Sequence, residues 1–220
     1  MYGATANDRG TVQALARELD VAREHGGINF ELSTRAERSQ LSAELYFCLL
    51  RHLQLRLPNV KLHSFVELAP SPNSLVLNPH GILFNHVVVK HFRYLASSRA
   101  SSPHNSWVAV RSSSAVDAQI WVGELRSIVA IEQPGSSIVH RFGFMQWFRP
   151  TSANLDRTVW AQFASLNVQV WDADTYLQSE DDGPDLLINL QDIITHVVRS
   201  DVIIRGHKYW ATMPSRSSNI

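Results

Sequence analysis

The segment from Ala118 to Pro150 constrains this chain more than any other. It reads AQIWVGELRSIVAIEQ, then breaks at Pro134-Gly135-Ser136-Ser137, then continues IVHRFGFMQWFRP. Apolar residues alternate through both runs at the two-residue period of a strand with one face buried. Pro, Gly and Ser supply turn geometry where the pattern stops. Two such runs around one turn predict a half-buried antiparallel strand pair. The second run ends in Trp147-Phe148-Arg149-Pro150. Neighbours along a strand face opposite sides, so only one of Trp147 and Phe148 is expected in the core unless both faces are covered.

The chain ahead of this pair divides in character near residue 63. Val12, Leu15, Ala16, Leu19 and Ala22 share one helical face, which predicts a helix over 11–24 that ends at Gly26-Gly27. Thr34-Arg35-Ala36-Glu37 reads as a capping box, in which the Thr hydroxyl and Glu carboxylate take up free backbone N–H groups. The helix expected after it carries Leu41, Leu45, Leu49, Leu53 and Leu57, widened by Phe47, Cys48 and Leu50, and stops at Pro58. Beyond residue 63 turn-forming clusters recur. Strands are expected near 74–78, 82–89, 92–97, 106–111, 119–132, 138–148, 167–172, 186–190, 202–205 and 208–212, with a short helix starting at Asn189 or Gln191. The expected fold class is therefore α+β. A helical segment over 1–62 packs on an antiparallel sheet or partly closed barrel over 63–216, and 217–220 is a tail.

Two polar loops interrupt the strands: Ser97–Ser106, SSRASSPHNS, and Gln178–Asp185, QSEDDGPD. Both are expected at the surface and mobile. One internal echo occurs. VVVKHFRYLA at 87–96 parallels VIIRGHKYWA at 202–211 in β-branched entry, basic centre and aromatic exit. Two tight hairpins with similar demands account for it, and a duplicated half-barrel is the sharper alternative.

The totals exclude several classes. Over 220 residues, 45% are hydrophobic and 18% charged, which suits a folded core. Net charge is zero, so the whole chain lacks the field of a strongly basic nucleic-acid binder. The only lysines are Lys61, Lys90 and Lys208, so arginine dominates the basic residues. Cys48 is the single cysteine, which excludes an internal disulfide and a cysteine zinc site. No run approaches the length of a membrane helix, so no membrane association is expected. The opening MYGATANDRG lacks the basic start and apolar core of a secretory signal, and a soluble intracellular protein is expected.

At this point the residues resemble a family. Trp121-Val122-Gly123-Glu124-Leu125-Arg126-Ser127-Ile128, a turn, and Phe144-Met145-Gln146-Trp147-Phe148-Arg149-Pro150 look like bromo-adjacent homology (BAH) domains. In that family a V-G-x-I-x-x-I strand precedes one ending W-F-x-R-P. Leu187 to His196 is similar to the strand and short turn near that family's end. The run from about Leu75 to Met213 also resembles the β-rich C-terminal region of proteins from basidiomycete DNA transposons of the Plavaka type. Tyr94 to Ala100, Trp121 to Leu125, Phe148-Arg149-Pro150 and Tyr209 to Thr212 carry this likeness. The resemblance implies a non-catalytic, chromatin-type module that binds protein partners in the nucleus, with the cytoplasm as the alternative location. It implies a transposon-derived accessory domain, and it carries no methyl-lysine cage onto named residues.

The chemistry-bearing residues also have ordinary packing and surface roles. Trp121, Trp147, Phe148, Trp160, Trp171 and Trp210 lie in or beside expected strands, where core packing is the ordinary role; an aromatic cage or stacking platform is the alternative. Lys90, Arg93, Arg99 and Arg111 form a basic stretch that, with Tyr94 and Trp107, suits phosphate contact if they share one face. His80, His86, His91 and His104 fall in one window without a recognised ligand spacing. Asp172, Asp174, Glu180, Asp181, Asp182 and Asp185 concentrate acid, mostly in a loop. No phosphate-binding loop, nucleophile elbow or metalloprotease motif is present, and no cofactor or small-molecule substrate is implied.

The leading reading is thus a non-enzymatic interaction module. Its contacts are assigned to Trp147, Phe148, Arg99, Lys90, Arg93 and Arg111 and to the loops around 97–106 and 178–185. A nucleic-acid-binding accessory domain is the second reading. A metal-dependent hydrolase using Asp172, Asp174 and a histidine is the third.

Overall fold

The computed structural model describes residues 30–68, 73–111, 119–152, 166–178 and 183–215. The described chain is α+β, mostly antiparallel sheet, with one α-helix among the described residues. The opening residues form strands β1 (Phe30–Leu32) and β2 (Ala36–Gln40), followed by helix α1 (Ala43–Arg56). A short parallel pair follows, β3 (Leu62–His63) and β4 (Leu75–Val76), and then β5 (His80–Phe84), β6 (His86–Val89) and β7 (Phe92–Leu95). Next come β8 (Trp107–Arg111), β9 (Ile120–Glu132) and β10 (Val139–Pro150). The chain continues through β11 (Gln169–Tyr176), β12 (Leu187–Ile188), β13 (Ile193–Ile204) and β14 (His207–Pro214).

The hairpin expected over 118–150 is present as β9 and β10, paired from Val139↔Glu132 to Trp147↔Gly123 with one bulge. Around it the pairings return on themselves. β9 pairs with β8, β8 with β13, β13 with β14, β14 with β11, and β11 with the end of β10. One core cluster draws from all six strands of this circuit: Trp107 and Ala109, Val122, Phe148, Trp171, Val197 and Trp210. Alternation sends every second residue of each strand inward, so one aromatic-rich interior results.

The second half of β9 and the first half of β10, at the turn end of the hairpin, extend past this barrel and are covered on both faces. One face packs on α1 through Val129, Ile131, Phe142 and Phe144 against Leu45, Leu49 and Leu53. The other face, with Leu125, Ile128, Met145 and Trp147, packs under the small sheet β1-β6-β7, which contributes Val87, Val89 and Tyr94.

Several expectations require correction. Thr34-Glu37 is not a capping box, because Ala36–Gln40 is a strand paired with β5. The cap is Ser42, whose side chain accepts from the Leu45 N–H at 3.3 Å. The strand wins at 36–40 because its backbone groups find a ready edge in β5. The apolar stripe of α1 is also rotated: Tyr46 is buried, whereas Phe47 is 50% exposed. The Tyr46 hydroxyl donates to the Leu77 carbonyl and accepts from the Phe65 N–H, which fixes the ring inward. The division at residue 62 is no break in the fold, since β1 and β2 pair with β6 and β5 beyond it. The expected strand 82–89 is two strands in different sheets, turned at Asn85. The helix expected near Asn189 is one 3-10 turn, Leu190–Asp192, and β13 follows at once. The helix expected over 11–24, Trp160, Glu180, Asp181, Asp182 and the 217–220 tail lie outside the described residues.

The echo at 87–96 and 202–211 is a pair of two-residue hairpins. Val89↔Phe92 encloses Lys90-His91, and Ile204↔His207 encloses Arg205-Gly206. All four turn residues have positive φ (49°, 71°, 52° and 81°). That is the pattern of a type I′ turn, whose twist matches the flanking strands. Among the described residues no helix is long and apolar enough to cross a membrane.

Candidate functional site

Helix α1 runs beside the chain segment that leads into β12, and a cleft lies between them. Its larger lobe has a volume of about 300 Å³ and is lined by Arg51, His52 and Leu55 of α1, Leu177, and Pro184 and Asp185 of the opposing segment. A smaller lobe of about 40 Å³ is lined by Arg56, Arg111, Trp121, Asn189 and Asp192. His52, Trp147, Pro184, Asp185 and Leu187 line both lobes.

Local structure explains this arrangement. The buried face of α1 carries Leu45, Leu49 and Leu53, so Arg51, Leu55 and Arg56 are left on the exposed side. Trp147 is 1% exposed, and its indole N–H donates to the Asp185 carbonyl at 3.1 Å. That bond ties the opposing segment to β10, and the Met145 N–H to the Leu186 carbonyl (2.8 Å) holds the next residue. One wall is therefore a helix and the other is a segment pinned to a sheet.

The electrostatics of the cleft are mixed. Arg51, Arg56 and Arg111 make no ion pair among the described residues. Asp192 accepts from the Asn189 side-chain amide at 3.1 Å. His52 rests edge-on against Phe142, with ring centroids 4.9 Å apart. Its Nε2 is buried without a hydrogen-bond partner. Burial first, and then the Arg56 guanidinium, hold the His52 pKa below the ordinary 6.5, with Asp185 opposing. The imidazole is therefore neutral near pH 7. Burial raises the Cys48 thiol, helped by Glu44 and Asp185 and opposed by Arg51, so the thiol is not activated as a nucleophile.

The residues singled out from sequence scatter. Arg111 and Trp147 come together at the cleft. Phe148 is 0% exposed inside the barrel, against Trp171 and Trp210. Trp147 and Phe148 are thus both buried, because β10 passes from a helix-and-sheet sandwich into the barrel and is covered on both faces. Neither offers an exposed contact surface. Arg99 is taken up by Glu37 in an ion pair of 2.5 Å. Lys90 and Arg93 belong to the β6–β7 hairpin, with Arg93 beside Val88 on its outer face and Glu31 opposite Val88. The loop over 97–106 is structured, with 3-10 turns at Ser97–Arg99 and Pro103–Ser106. Ser106 is fully buried within it.

Of the two aspartates offered for metal chemistry, Asp174 is engaged elsewhere. Asp174 sits at φ 57° in a bulge of β11 and accepts from Lys208 at 3.2 Å, while Lys208 also reaches Asp201 at 3.1 Å. Among the described residues no group of three or more His, Cys, Asp or Glu side chains is placed to hold a metal ion.

Sequence reasoning passed over Arg51, His52, Leu55, Arg56, Asn189 and Asp192. The one available signal was Arg51-His52 set against the Leu49-Leu50-Leu53 stripe, where polar groups crowd a helix that must pack. Comparison with family models, curated proteins and solved structures finds no match to this chain.

Proposed function

We propose that this protein is a non-catalytic interaction module that binds a segment of a protein partner in the cleft between α1 and residues 183–187. One observation carries the reading: a cleft of about 300 Å³ pairs apolar walls, Leu55, Leu177, Leu186 and Pro184, with charged groups, Arg51 and Asp185. Apolar lining with a few placed polar groups is the composition of a recognition site. The cleft suits a few side chains of an extended segment, and its pinned wall favours binding without large rearrangement.

The finer reading follows the resemblance of Trp121 to Pro150 to BAH domains. We read the β-rich region as BAH-like and transposon-derived, acting in the nucleus on a chromatin-type protein. The buried indole and phenyl of Trp147 and Phe148 then belong to the scaffold, and the cleft beside them to the contact surface.

Site-specific photo-crosslinking tests this. A benzoylphenylalanine at position 55, on the cleft wall, and one at position 203, on the β13–β14 hairpin, are compared in nuclear extract; Leu55 is 75% and Ile203 78% exposed. Adducts with chromatin proteins from position 55 alone are expected. Adducts from position 203 only, or none from position 55, would overturn the reading.

A further inference from the structure

The cleft is more particular than an apolar groove, and its chemistry indicates what enters it. Resting on the interaction-module reading above, we infer that the partner segment is acidic: a carboxylate side chain enters the small lobe beside His52, Arg56 and Arg111, and a neighbouring apolar side chain lies against Leu55 and Pro184 in the large lobe.

Three observations support this. First, the arginines at the cleft, Arg51 and Arg56 from α1 and Arg111 from β8, hold no carboxylate of this chain among the described residues. Elsewhere on the molecule Arg99 and Arg126 are each paired with a glutamate. A guanidinium presents a planar fork of donors that matches a carboxylate in two-point contact. Second, His52 lines both lobes, and its Nε2 is a buried polar atom with no partner. A buried polar group without a partner costs free energy that an incoming hydrogen-bonding group recovers. Third, the small lobe, at about 40 Å³, matches one compact polar group rather than a ring.

The carboxylates present do not cancel this preference. Asp192, held by the Asn189 amide, lines the small lobe and Asp185 lines both, so among the described residues three arginines face two carboxylates across the cleft as a whole. Asp185 lines both lobes and does not choose between them; two guanidiniums, Arg56 and Arg111, line the small lobe and one, Arg51, the large lobe, which places the acid toward Arg56 and Arg111 and the apolar side chain toward Leu55.

The test uses the full chain and three pools of fluorescein-labelled decapeptides. All share a central Leu pair, and they differ in having Glu, Gln or Lys at the flanking positions. Binding is read by anisotropy at two salt concentrations, against the wild type, Leu55→Asp, and Arg56→Glu with Arg111→Glu; all three side chains are exposed. The Glu pool is expected to bind at least tenfold more tightly than the Gln and Lys pools. The arginine double variant is expected to lose at least tenfold for the Glu pool only. If the Lys pool binds as well, or the double variant leaves the Glu pool unchanged while Leu55→Asp still abolishes binding, the acidic partner is wrong and the cleft reading stands. If no pool binds, both fail. A single-stranded DNA 20-mer that outcompetes the Glu pool with the same arginine dependence would overturn the inference in favour of a nucleic acid.

Discussion

Gly123 stands opposite Trp147 across the β9–β10 ladder, and the indole fills the space that a side chain on Gly123 would need. A β-carbon there would lie 2.9 Å from Trp147 Cε3 and 2.6 Å from the Gln146 carbonyl oxygen. The glycine of the Val122-Gly123 string is therefore what lets the indole pack against the β9 backbone, and that tryptophan in turn holds the cleft's far wall through the Asp185 carbonyl. Gly123→Ala is expected to destabilise the fold by roughly 1–3 kcal/mol, the usual cost of overpacking a filled core. Urea denaturation followed by tryptophan fluorescence measures it, and an unchanged midpoint would contradict the packing described.

Arg199 lies over two indoles at once, 4.0 Å from the Trp107 ring centroid and 4.2 Å from that of Trp210. The same guanidinium donates to the Tyr176 hydroxyl oxygen. The barrel thus closes on a cation stacked between aromatic faces. Arg199→Ala is expected to cost about 2 kcal/mol, the upper range for a desolvated cation–π contact. Arg199→Lys should recover part of that loss, since an ammonium keeps the charge without the planar stack. Equal melting of the two variants would show that neither the stem nor the charge, but only the planar guanidinium, stabilises this end.

The β6–β7 turn adopts left-handed backbone at Lys90 and His91, residues that carry a side chain into a region costly to them. Replacing the pair by Asn-Gly, the sequence suited to a type I′ turn, is expected to raise stability by about 1 kcal/mol. Thermal melting gives the result. The same exchange at Arg205-Gly206 should gain less, because glycine already occupies the second position.

Three histidines have lowered pKa values: His52 and His196 chiefly through burial, and His86 through burial and then Arg93. The folded state therefore holds them neutral, while the unfolded chain takes up protons near 6.5. Below that pH the unfolded state binds more protons, so stability is full above about 6.5 and falls as the pH drops toward the folded values. The His196 ring packs at a 30° tilt against Tyr94, centroids 4.3 Å apart, and its Nε2 lies 2.9 Å from the Arg93 carbonyl, which joins β13 to the small sheet. His196→Gln should flatten the decline between pH 7 and pH 5 in denaturation midpoints. A wild-type midpoint that rises on acidification would contradict the assignment.

Much of the β architecture was legible from local pattern. The alternation over 118–150 marked β9 and β10, and the echo of 87–96 in 202–211 marked two hairpins with the same turn. Ile193, Thr195 and Val197 also alternate inward, so the first half of β13 was readable but was masked by an expected helix start at Asn189. The candidate site was legible only in fragments. Trp147, Arg111 and the end of the 178–185 loop were singled out, yet Arg51, His52 and Arg56 looked like the solvated side of a helix.

The sequence by itself determined where β9, β10 and the two tight hairpins run and turn, and that α1 needs an apolar partner, because period and turn chemistry act over a few residues. It also determined the residue types available for contact. Tertiary structure alone decided that both faces of β10 are covered, since a two-residue period reveals a buried face but not what lies over the other. It likewise decided that 36–40 pairs with β5 rather than capping a helix, and that Arg56, Arg111 and Asp185 meet. Those residues are distant along the chain, and only the closing of the sheet against α1 brings their charges to one cleft.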